Sequence, residues 1–69
     1  MEIIKLREEY IKLGQALKAA RLVSSGVEAK MMILDGKVKV NGDVCLQRGK
    51  KLLDGDSFEF AGTVIKIEK

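Results

Sequence analysis

With 69 residues, 13 of them basic and 10 acidic for a net charge of +3, the chain holds one domain at most, spanning 1–69. A domain of this size buries only about 60% of the surface its unfolded chain exposes, which leaves little scaffold for a deep catalytic pocket. Its 46% apolar content is that of a folded globule rather than a disordered chain, and its single cysteine, Cys45, excludes an internal disulfide.

The first dozen residues fit two readings. Ile3, Leu6, Tyr10 and Leu13 have a helical period, while Tyr10-Ile11-Lys12 also reads as a short strand entering a helix. No long apolar run follows Met1-Glu2, so neither a signal peptide nor a membrane span is expected. Together with the lone cysteine this implies a cytoplasmic setting. A first helix is expected over 13–23, where Leu13, Ala16, Leu17 and Ala20 form one apolar stripe and Lys18 and Arg21 lie off it. Its start is poorly specified by local rules, because Lys12 is not a capping residue.

Ser25, followed by Glu28, makes a capping box for a second helix running from about Gly26 to Leu34. Ala29, Met32 and Ile33 point to one side of it, with Lys30 and Met31 away from that side. Asp35-Gly36 ends it, Gly36 supplying a left-handed position.

From Lys37 the period changes to two. Val38 and Val40 face one way, Lys37 and Lys39 the other, and Asn41-Gly42 is a strong hairpin signal. Val44 and Leu46 are assigned to the return strand, with Cys45 between them as a packing residue. A basic connection from Gln47 to Lys51 leads to Leu52-Leu53 and the Asp54-Gly55-Asp56 turn. Phe58 and Phe60 alternate with Ser57 and Glu59, which predicts a strand with its aromatics inward. Ala61-Gly62 turns the chain into a last, edge-like strand over 63–67.

Charge is segregated along this path. Residues 2–12 sum to zero and 13–36 to +1, while residues 37–51 reach +4 and 52–69 fall to −2. A basic stretch of this kind is the electrostatic footprint of a polyanion-binding surface. Arg48 is its strongest candidate, because a planar guanidinium holds a phosphate through two parallel hydrogen bonds. Lys37, Lys39, Lys50 and Lys51 complete the rim, and Gly49 suits close backbone approach as well as a plain turn. Lys30, Ser25 and Gly26 form a second candidate group at the start of the second helix, where backbone N–H groups and a positive dipole end favour anions. Gln15, Lys18 and Arg21 are candidates for a facing wall on the first helix. The ordinary alternative for each of these charges is a solvated face.

Catalytic chemistry has no foothold. There is no histidine, Cys45 has no partner for metal binding or activation, and Gly49-Lys50-Lys51 lacks the lead and the hydroxyl of a phosphate-binding loop. No metal and no cofactor are expected. With one Tyr and two Phe, base stacking is expected to contribute little beside shape and phosphate contacts.

The segments "SSGVEAKMMILDGKVKVNGDV" and "GKKLLDGDSFEF" resemble the S4 RNA-binding domain, and "YIKLGQALKAARLVSSG" with "QRGKKL" is similar to the small free-standing, YaaA/YbcJ-like members of that family. The likeness spans roughly residues 8 to 60. It implies an α+β, S4-like (alpha-L) fold, with two short packed helices against a small bent antiparallel sheet. It also implies non-catalytic binding of structured RNA, ribosomal or transfer RNA or a ribosomal particle, by a monomer. The family often has Arg directly after the serine that opens the second helix; here that position is Gly26. The rival reading is a protein-interaction adaptor that uses Met31, Met32 and Leu34 of the second helix as an apolar patch.

Overall fold

The computed structural model describes residues 2–69. The chain runs β1 (Glu2–Lys5), β2 (Ile11–Lys12), α1 (Leu13–Ala19), α2 (Gly26–Leu34), β3 (Val38–Val40), β4 (Asp43–Val44), β5 (Lys51–Leu52), β6 (Ser57–Phe60) and β7 (Thr63–Glu68). Five strands form one sheet in the order β1-β7-β6-β3-β4, and β2 pairs with β5 in a separate two-stranded ladder. All pairings are antiparallel except β1 with β7, which makes the main sheet mixed.

The period-two pattern sets the registers. Val38 lies opposite Phe60 and Val40 opposite Phe58, and Phe58 in turn lies opposite Ile65. These positions share the inner face, where Val38, Phe58, Ile65 and Ile67 are buried with Leu13, Leu17, Ala29 and Ile33 of the helices in one cluster. Both helices thus cover one side of the sheet, and the period-3.6 and period-2 stripes meet there. Leu52 joins this cluster from β5 and is fully buried.

Several boundaries differ from the sequence reading. The first dozen residues take the strand option twice, as β1 and β2, so β7 becomes internal and β1 takes the edge. Helix α1 stops at Ala19 instead of continuing to residue 23, because Arg21 adopts a left-handed φ of 59° and the Leu22 N–H turns back to the Leu17 carbonyl. The return strand after Asn41-Gly42 ends at Val44; Leu46 is 55% exposed, and Cys45 lies outside any strand, half-buried with its N–H on the Val38 carbonyl. Helix α2 spans Gly26–Leu34 as expected, closed by Gly36 at φ 76°.

Asn41 does more than form a turn. At φ 50° it opens the β3–β4 hairpin, its Nδ2 donates to Asp56 Oδ1 at 3.1 Å, and its Oδ1 accepts from the Ser57 N–H at 3.0 Å. Asp56 also accepts from the Leu53 N–H at 2.7 Å. One asparagine and one aspartate therefore tie the "VNG" hairpin to the "DGD" turn.

A candidate nucleic-acid interface

The start of α1 shows how tertiary structure replaces a missing cap. Lys12 has no side-chain acceptor to offer. Instead the Leu13 N–H donates to the Lys50 carbonyl at 2.9 Å and the Gly14 N–H to the Arg48 carbonyl at 3.1 Å. Gln15 Oε1 accepts from the Lys12 N–H at 3.3 Å. The basic 48–50 loop is thereby clamped to the first turn of α1. Gly14 permits the clamp to close, since a Cβ there would sit 2.9 Å from Arg48 Cγ.

Between this loop, α1 and the start of α2 lies a groove of about 290 Å³. Lys12, Lys18 and Arg48 line it with Gln15, and among the described residues no carboxylate does. The ion pairs among the described residues are Lys5–Glu68 at 3.1 Å and Lys69–Glu9 at 2.6 Å, so the three groove cations have no acidic partner there. Unpaired cations facing one cleft concentrate positive potential in it.

The glycines of the groove carry a second signal. Gly36, Gly42, Gly55 and Gly62 have positive φ, and Gly14 is required by the Arg48 stem. Of the seven glycines, this leaves Gly26 and Gly49, where a Cβ would meet nothing within 4 Å. Both line the groove. At these two positions neither backbone conformation nor packing calls for glycine, and the backbone lies open to the groove.

At the mouth of α2, the Ser25 Oγ accepts from the Glu28 N–H at 3.1 Å as a cap. The Glu28 carboxylate turns outward to Ser24, accepting from its N–H at 2.6 Å and its hydroxyl at 3.1 Å. The first amides of α2, at Gly26 and Val27, precede any intrahelical acceptor.

The structure thus gathers five of the residues singled out from sequence, Gln15, Lys18, Gly26, Arg48 and Gly49, and adds Lys12 and Gly14, which only the clamp reveals. The remaining candidates lie elsewhere. Lys50 lines a neighbouring groove beside Val44 and Gln47. Arg21 lines another with Ser24 and Glu28. Lys39 points outward from β3, opposite Glu59 across the ladder, and Lys37 is exposed just after α2. Lys51 lies opposite Lys12 in the β2–β5 ladder with its Nζ over the Tyr10 ring, 4.8 Å from the centroid. Lys30 is exposed on α2. Met31 and Met32 do not share a face: Met32 packs on the core, while Met31 is exposed in line with Val27 and Leu34. No helix among the described residues is long and apolar enough to cross a membrane.

Comparison with known proteins agrees with this architecture. The S4 domain family model matches residues 4–68. The "Probable ribosome maturation protein RlbA" of Bacillus subtilis is 41% identical over 59 residues, covering 86% of this chain and 83% of the relative. The "Putative RNA-binding protein YbcJ" of Escherichia coli is 31% identical over 61 residues, covering 88% and 87%. The solution structure of E. coli YbcJ, described as revealing an alfaL motif involved in RNA-binding, superposes with a TM-score of 0.76 at 30% identity, over 100% of this chain and 89% of that one.

Proposed function

The chain belongs to the S4 domain family, and we propose that it binds structured RNA, as a single copy and without chemistry of its own, through the groove between α1, α2 and the 48–50 loop. The observation that carries this reading is the pairing of three unpartnered cations, Lys12, Lys18 and Arg48, with two glycines that the fold itself does not require. Phosphate oxygens are the ligand such a wall fits: Arg48 offers a bidentate fork, the lysines point charges, and Gly26 and Gly49 bare backbone.

Lys37, Lys39, Lys50 and Lys51, with Arg21 and Lys30, then act at longer range. They raise the local concentration of RNA by steering and touch it only where it extends past the groove. The name of YbcJ supports RNA as the ligand, and that of RlbA, a probable ribosome maturation protein, supports ribosomal RNA or a ribosomal particle as the target. A shape-reading mode is consistent with a site made of phosphate donors, since A-form duplexes are recognised by backbone and shape.

The test is binding of an RNA hairpin to wild type and to G26A and G49A. Both variants are expected to keep their stability and to lose affinity several-fold, because a methyl group now stands where the RNA backbone approaches. Unchanged affinity in both would remove the groove from the interface. A second reading rests on the exposed stripe of Val27, Met31 and Leu34 on α2, which suits an apolar protein partner in place of RNA. It requires M31D to abolish recruitment of a ribosomal-particle protein in RNA-free conditions while hairpin affinity stays absent in every variant.

A further inference from the structure

A second groove, of about 460 Å³, lies on the other side of the α1 entry. We propose that it receives an unpaired nucleobase of the RNA held in the basic groove, stacked against Tyr10 and hydrogen-bonded at its edge by Gln15. The inference rests on the RNA reading of the basic groove and adds a single-strand subsite to it.

The two grooves differ in chemistry. The basic groove carries three cations with no acid among its described lining. In the second, Arg7 is accompanied by Glu8, and Lys5 is already paired with Glu68 at 3.1 Å. Its charge is close to balanced, so a phosphate gains little there. Its walls suit a flat, neutral, partly apolar group. Ile4, Leu6 and Ile11, half-buried against the core, supply apolar surface. Tyr10, a residue 39% exposed, supplies an aromatic ring. The Lys51 ammonium covers one face of that ring, 4.8 Å from its centroid, a cation–π contact that is weak at an exposed site, so a base stacks on the opposite face.

Gln15 connects the sites, because it lines both grooves. Its Oε1 is held by the Lys12 N–H at 3.3 Å. That leaves the two Nε2 hydrogens, with no protein acceptor among the described residues, to meet acceptors on a base edge. On this proposal a strand whose phosphates follow Lys12 and Arg48 passes Gln15, which lines both grooves, and presents its next base to Tyr10. The aromatic count alone predicts a minor part for stacking; the structure sets the single tyrosine, partly exposed, in the lining of this groove.

The experiment compares an RNA hairpin with and without a single-stranded tail, bound to wild type, Y10F, Y10L and R48A. The chain has one tyrosine and no tryptophan, so the Tyr10 ring protons give an isolated NMR signal. The tail is expected to tighten binding by about tenfold, the range of one base–aromatic stack, and to shift the Tyr10 ring resonances upfield. Y10F keeps that gain, Y10L loses it while binding the tailless hairpin as wild type does, and R48A weakens both RNAs. A tail that adds nothing, or whose gain survives in Y10L, overturns the subsite and leaves the basic groove standing. Failure of wild type to bind either RNA overturns both.

Discussion

Gly14 and Asn41 show how much single residues decide here. Gly14 sits in the first turn of α1 with the Arg48 stem across it, and a Cβ at that position would lie 2.9 Å from Arg48 Cγ. In G14A the Arg48 stem, anchored beside the carbonyl that accepts the Gly14 N–H, must shift with the loop. Even after the better helix propensity of Ala is counted, stability is expected to fall by about 1–2 kcal/mol. RNA affinity should fall several-fold as well, since Arg48 is displaced; denaturant melts and hairpin titrations of the same variant check both halves. Asn41 combines a left-handed φ of 50° with two side-chain hydrogen bonds, to Asp56 and from Ser57. N41A should cost about 2 kcal/mol, from about 1 for αL strain and about 1 for partly solvated hydrogen bonds. N41G should recover the strain component alone, which a chemical-denaturation series resolves. The "VNG" signal identified the hairpin from sequence. It could not show that the same asparagine reaches Asp56, fifteen residues on, because that contact exists only once the sheet has formed.

Elements with strong local signals were legible, and those held by distant partners were not. Helix α2 has a serine cap and a glycine stop, and its bounds follow from these. The β3–β6 register follows from alternating Val and Phe positions. Strand β5 and the strand character of residues 2–5 and 11–12 come from pairings across the chain, Ile11 with Leu52 and Ile4 with Ile67. Local pattern offers a short strand at Tyr10-Ile11-Lys12, beside a helical period, and none at residues 2–5 or 51–52. The start of α1 belongs to the same class, since its donors find the carbonyls of Arg48 and Lys50. The basic stretch was likewise legible as charge, while its division was not: Arg48 lines the groove with Lys12 and Lys18, and Lys39 faces Glu59 on the sheet. At this scale the β6–β7 turn offers a stability test. Ala61 holds φ 53° ahead of Gly62 at φ 81°, the geometry of a two-residue hairpin that favours Asn-Gly. A61N is expected to stabilise the domain by about 0.5–1 kcal/mol, read as a higher denaturation midpoint with unchanged m-value.

The whole molecule measures 28 × 21 × 18 Å, and a body of this size touches only a few phosphates of a folded RNA. Its net charge of +3 is modest, so affinity depends on where the cations stand rather than on how many there are. With Lys12, Lys18 and Arg48 as the anchoring set, log K against log salt should fall with a slope of about −2 to −3, the value for roughly three neutralised phosphates. On the proposed division the outer lysines steer, so their removal should lower the association rate more than it raises the dissociation rate. The central claim, that the α1–α2–loop groove rather than the outward face of β3 is the RNA site, is tested most directly by one measurement. An RNA hairpin is titrated at several salt concentrations against wild type, the K12A/K18A/R48A triple variant and the K37A/K39A double variant. The groove account predicts that the triple variant loses nearly all binding and its salt slope, while the double variant keeps its equilibrium affinity within a few-fold. Loss of binding in the double variant with retention in the triple variant would contradict it, and would move the interface to the strand.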